Sequence, residues 1–154
     1  MDFVTPFIEW LLKSEYIKGN KLFLNAVQAQ DNNIQIVTQQ ISKNEDKEYV
    51  DGSVLHRVRF HILNYKSVSF DRLMTGAPAS NENIATLLEV SKIIDFVQNM
   101  EAQRNYPDFG EKYEVQSICC EYNNPSSPAF QSGTSPALAK FTIPIICEVL
   151  ELAD

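Results

Sequence analysis

The sequence predicts an α+β fold, with two helices packed on a mainly antiparallel or mixed sheet in the order α-β-β-β-α-β-β. Three observations predict it. Residues 82–103 repeat apolar side chains at helical spacing, the segments 54–63 and 139–150 alternate with a period of two, and polar stretches rich in Asn, Ser, Pro and Gly separate them. The 154 residues, 44% hydrophobic and 21% charged, fit a single domain over 1–154 and are too apolar for a disordered chain.

The first helix is expected from Val4 to about Tyr16. Phe7, Ile8, Leu11 and Leu12 follow helical spacing, Thr5 is placed to cap, Pro6 suits the first turn, and Gly19-Asn20 stops the helix at a residue tolerant of positive φ. Trp10 falls beside the apolar stripe and is expected half-buried against the sheet. Two short extended runs follow, Leu22–Gln28 and Ile34–Ile41, with Gln30-Asp31-Asn32-Asn33 reading as a hairpin turn between them. Ser42–Gly52 holds the run Glu45-Asp46-Lys47-Glu48 and reads as a solvated loop. Val54–Leu63 is the clearest strand. Val54, His56, Val58, Phe60 and Ile62 share one face, and Leu55, Arg57, Arg59, His61 and Leu63 share the other.

Residues 64–81 read as a long loop. It carries Phe70, Leu73 and Met74 ahead of Gly76-Ala77-Pro78, and apolar residues in a loop of this length are expected to pack on something. The strongest helix, Glu82–Gln103, presents Ile84, Leu87, Leu88, Val90, Ile94, Val97 and Met100 as a broad stripe, with Glu89, Lys92 and Asp95 on its solvated side. Ser80 or Asn81 caps it, and Asn105-Tyr106-Pro107 ends it. Tyr113–Tyr122 and Ala139–Leu150 read as strands. The stretch 123–137 between them reads as a second long loop, a mobile arm with an exposed Phe130. Pro144 cannot donate to a sheet ladder, which places its strand at an edge or a bulge. An edge is also where another chain adds by backbone pairing.

Composition excludes several function classes. Lys plus Arg number 13 against 20 Asp plus Glu, a net charge of −7, which opposes general affinity for nucleic acid. No apolar run is long enough to span a bilayer, and Met1–Pro6 lacks the basic start and apolar core of a signal peptide, so the chain is expected to stay in the cytoplasm that makes it and to have no membrane partner. Cys119, Cys120 and Cys147 are expected to be reduced and at least partly buried. Two histidines and one Cys-Cys pair do not supply a zinc site. His56 and His61 stand on opposite faces of one strand and cannot share a metal. No phosphate-cradling glycine loop, G-x-S-x-G elbow or tuned carboxylate pair is present, so no catalytic, cofactor-binding or metal-binding residue is expected and the chain does not read as an enzyme. The stripe Arg57, Arg59 and His61 is either solvated surface or a contact for acidic patches on a neighbouring subunit.

The order of elements resembles the tail terminator proteins of long-tailed bacteriophages, closest to the group labelled minor capsid protein in phages and prophages of Gram-positive hosts. The resemblance runs over nearly the whole chain. It covers the helix Phe3–Tyr16, the strand Val54-Leu55-His56-Arg57-Val58-Arg59-Phe60, and the helix opened by Asn83-Ile84 and closed by Asn105-Tyr106-Pro107-Asp108-Phe109-Gly110. It continues through Tyr113-Glu114-Val115-Gln116-Ser117-Ile118 to Ala139-Lys140-Phe141-Thr142-Ile143-Pro144-Ile145. Phe96-Val97 stands where similar proteins often have Trp. The resemblance implies a structural virion protein of the neck. It would form a homohexameric ring that caps the tail tube, meets the major tail tube protein on one side and the head–tail connector or stopper on the other, and lets DNA through its lumen without specific binding. Assembly in the host cytoplasm and residence in the virion follow. The alternatives are a neighbouring head-completion protein and a monomeric protein-binding adaptor. The expected interface residues are Arg57 and Arg59 on the strand, Phe70, Leu73 and Met74 in the first long loop, Phe130 in the second, and Pro144.

Overall fold

Asp2, rather than Thr5, starts the first helix. Helix α1 spans Val4–Leu11, and Asp2 Oδ1 accepts the N–H groups of Val4 (2.9 Å) and Thr5 (3.1 Å), two of the donors a helix start leaves without partners. The expected single helix is two. The chain tightens after Leu11, where Lys13 and Ser14 donate to the carbonyls three residues back. Ser14 then caps a short helix α2, Glu15–Lys18, by accepting from Ile17 N. Gly19 ends α2 at φ −72°, so the left-handed conformation expected of it is not used; Asn20 Nδ2 instead donates to Tyr16 O at 2.6 Å. The computed structural model describes residues 2–24, 33–38, 46–67, 81–121, 129–131 and 138–154.

Strands β1 (Lys21–Leu24) and β2 (Asn33–Thr38) pair in parallel, with Leu22 opposite Ile34. This overturns the expected hairpin. A parallel pair needs a connection that returns along the strand, and the residues that make it, 25–32, lie outside the described residues. Part of the expected loop 42–52 is a tight hairpin: β3 (Lys47–Glu48) turns through Tyr49–Ser53 into β4 (Val54–Ser67). Gly52 lies at φ +86°, the left-handed residue that a three-residue hairpin loop requires.

Strand β4 runs fourteen residues, past the expected end at Leu63. Asn64 and Lys66 read as loop by polarity, yet both are buried, because each finds a partner on the helical layer. Asn64 Nδ2 donates to Tyr16 Oη at 2.6 Å, and Lys66 Nζ pairs with Glu89 at 2.6 Å. Helix α3 (Asn81–Ala102) carries that glutamate. Its core stripe is Val90, Ile93, Ile94, Val97 and Met100; Leu87 and Leu88, expected within it, are exposed. Glu89 and Lys92, expected on a solvated side, lie against Lys66 and the Tyr16 ring respectively, while Asp95 is exposed.

Three further strands complete the sheet: β5 (Tyr113–Cys120), β6 (Ala129–Gln131) and β7 (Leu138–Glu151). The order is β1-β2-β4-β7-β5, with β3 also on β4 and β6 also on β7. The sheet is mixed, since only β1 and β2 run parallel. The arm expected over 123–137 therefore holds a strand, and Phe130 pairs with Ala139 within it.

Pro144 does not mark an edge. Strand β7 is central, between β4 and β5. The carbonyl of Pro144 accepts from Glu121 N at 2.9 Å, and the two polar groups of a strand residue point the same way. The missing N–H thus faces the residue just past β5, where the ladder ends, and the side facing His61 on β4 loses nothing.

Both helical layers lie on one face of the sheet. Phe7 stacks on Phe60 with rings 5° from parallel, and Trp10 packs on Phe96. Trp10 is 1% exposed rather than half-buried, because its Nε1 donates to Asn105 O at 2.7 Å and leaves no polar atom unpaired. Asn105 is held in turn by the end of α3. Its N–H bonds Met100 O while Arg104 N–H bonds Glu101 O, a two-bond helix stop that puts Arg104 at φ 53°. A left-handed arginine is strained by roughly 1 kcal/mol. Arg104→Gly is expected to raise stability by roughly 0.5–1 kcal/mol, or about 1–4 °C in Tm, measured by thermal unfolding. A lower Tm would mean that the Arg104 side chain contributes more than its backbone costs.

Candidate functional site

The face of the sheet away from the helices is the part of the molecule with most to offer a partner. Odd-numbered residues of β4 and even-numbered residues of β7 point there, as the register Arg57↔Glu148 and Arg59↔Ile146 dictates. Among the described residues no helix packs on this face. Leu55, Leu63, Ile146 and Leu150 are half-exposed on it.

Its charges are matched across strands. Arg57 Nη2 donates to Glu148 Oε1 at 2.9 Å, Ser117 Oγ donates to Glu148 Oε2 at 3.2 Å, and Arg59 lies 3.9 Å from Glu121. The Arg57 guanidinium, helped by Ser117, holds the Glu148 carboxyl below the usual glutamate range. Arg57, Ser117 and Glu148 thus satisfy one another beside the apolar area.

The predicted interface residues are not gathered into one place. Arg57 is exposed and Arg59 half-exposed on this outer face, while Pro144 is buried on it in register with His61. Phe130 belongs to β6, further along β7 in register with Ala139. Phe70, Leu73 and Met74 lie outside the described residues. The acidic partners Glu148 and Glu121, and Ser117 that bonds Glu148, were missed. Only the strand pairing brings these residues next to the arginines, and pairing is not written in any local motif.

A second cluster surrounds His56 on the inner face. Nε2 lies 2.6 Å from Glu151 Oε2 and Nδ1 lies 3.1 Å from Asp46 Oδ2, with the Phe3 ring nearby. The two carboxylates sit at opposite ring nitrogens, so the three side chains point at one another rather than converge on a common ion. The cluster ties the start of β4 to the end of β7 and to the residue before β3.

The cysteines are free, and Cys119 is exposed, against the expectation that all three be at least partly buried. Burial pushes all three thiols up, Cys120 to about 12; for Cys119 the charges of Glu101 and Glu148 add to it. The thiolate is the nucleophile, so none is activated. On the free side of β5, Ile118 N donates to Glu101 Oε2 at 2.9 Å, which blocks that position of the edge against further strand pairing.

The sequence matches no protein-family model and no curated protein.

Two outcomes follow from these environments. Maleimide at about pH 8 is expected to modify Cys119 alone in the native protein, with Cys120 and Cys147 reacting only on unfolding, as read by mass spectrometry. A native Cys147 adduct would contradict the described burial. Arg57→Ala is expected to cost roughly 0.2–1 kcal/mol near neutral pH. Because the folded-state pKa of Glu148 is lowered, the contribution is full above the unfolded glutamate value and fades as pH falls through the folded one. Urea titrations of both chains from about pH 7 to about pH 3 check that their difference narrows toward acid.

Proposed function

We propose that this protein is a structural virion component that works as a ring of identical copies at the end of a phage tail tube, as the tail terminators it resembles do. The observation that carries the reading is the sheet that bears its helices on one face. Its other face mixes half-exposed Leu55, Leu63, Ile146 and Leu150 with the cross-strand pair Arg57–Glu148. A surface of this kind, apolar with its charges matched, suits contact with another protein more than chemistry on a small molecule. The net charge of −7 supports a ring through which DNA slides without being held.

The test is capping. Added to polymerising tail-tube protein of the same virion, the purified chain should stop elongation and appear at tube ends in electron micrographs as a closed ring of six, about 105 kDa from a 17.5 kDa chain. Tubes that lengthen as they do without it would overturn the reading. Binding to a connector protein with no effect on tubes would favour a head-completion role.

A further inference from the structure

A neutral histidine ring has one N–H and one lone pair, so it donates a hydrogen bond from only one nitrogen. His56 faces a carboxylate oxygen at both. Glu151 Oε2 lies 2.6 Å from Nε2, and Asp46 Oδ2 lies 3.1 Å from Nδ1. With the ring neutral and both carboxylates ionised, one of these contacts sets a lone pair against a negative oxygen. Both become hydrogen bonds when the three groups share one further proton. The ring is the simplest place for it, since an imidazolium donates from both nitrogens. The His56 side chain is 11% exposed, so water is poorly placed to stand in for a lost partner.

Among the described residues, the other titratable groups around His56 are engaged elsewhere. On β4 itself, Arg57 points to the opposite face and bonds Glu148. On β3, Lys47 lies opposite Leu55 on that outer face, and Glu48, opposite Val54, is exposed. Beside β5, Lys112 feels the Glu151 charge but pairs with Asp154, and Tyr113, in register with Glu151, sets its ring against Phe3. At α1, Asp2 is turned to the Val4 and Thr5 amides, and Phe3 adds an apolar ring beside the imidazole.

Loss of the shared proton bears unequally on the two contacts. Glu151 makes the shorter one, and its backbone is held opposite Val54 on the central strand β7. Asp46 precedes a strand of only two residues. Its second oxygen, Oδ1, is buried with no hydrogen-bond partner among the described residues, so a charged Asp46 facing a ring lone pair is desolvated without compensation. We infer that Asp46, His56 and Glu151 form a proton-operated latch. Protonated, it fastens the β3–β4 hairpin to the end of β7; on losing its proton it lets go of Asp46 and frees β3, while Glu151 stays bonded to the ring.

The test is an NMR titration of the full chain from about pH 5 to about pH 9, which spans the range where histidine changes charge. The His56 ring signals are identified by their absence in His56→Gln. The amides of Lys47, Glu48 and Tyr49 are expected to shift with the midpoint of the His56 ring, and their hydrogen exchange, corrected for base catalysis, to quicken at least about tenfold above it. Amides of α3, such as Val97, are expected not to move. Asp46→Asn supplies the control, because a carboxamide donates to Nδ1 of a neutral ring and needs no extra proton. Its hairpin is expected to stay paired throughout, with amides that ignore the His56 transition. The inference is overturned by wild-type hairpin amides that stay still while His56 titrates, by a His56 ring that keeps one protonation state across the range, or by hairpin amides that respond equally in Asp46→Asn. If that variant does not fold, the wild-type titration decides alone.

Discussion

Strands β4 and β7 form the one long ladder in the sheet, fourteen residues against fourteen, in register from Val54↔Glu151 to Ser67↔Leu138. Every other strand except β1 hangs on one of these two: β2 and β3 on β4, β5 and β6 on β7. The register assigns each side chain to a face. It puts Phe60 beside Ile145 and Val58 beside Cys147 under the helices, and Arg57 beside Glu148 on the opposite surface. A slip of one residue would bury the arginines and expose the core, so the apolar alternation of both strands and the cross-strand charge pair enforce the same alignment.

The helical layer is fastened to that ladder by polar contacts as well as by apolar ones. Lys66 and Asn64 reach inward to Glu89 and Tyr16, and Trp10 bonds the backbone of Asn105. A buried lysine is tolerable only with its carboxylate in place. These contacts specify how α2 and α3 sit on the sheet, where apolar packing alone would allow sliding.

The parts legible in the sequence were those with a strong period. The two faces of β4 and the position of α3 follow from side-chain alternation, because burial on one side imposes it. The parallel β1–β2 pair was hidden because Gln30-Asp31-Asn32-Asn33 has the composition of a hairpin turn whichever way the next strand runs. Pro144 misled because the rule against proline concerns the side its nitrogen faces, and a central strand whose neighbour stops short has one such side to spare. Asn64 and Lys66 read as loop because polarity does not disclose a distant partner. The candidate surface was half legible: Arg57 and Arg59 stood out on one face, but their carboxylates come from β7 and from the residue after β5.

The dominance of the β4–β7 ladder bears on how the chain is made. Its partners stand half a chain apart in sequence, so the loop that closes them is large and pairing is slow to nucleate. Strand β7 is central and follows the other strands of the sheet in chain order, so a nascent chain holds β4 with one flank of its sheet missing until residue Glu151 leaves the ribosome. Prematurely terminated chains lack the strand that joins β5 and β6 to the rest and cannot present the finished surface. The topology thus ties completion of the folded sheet to synthesis of the last residues of that strand.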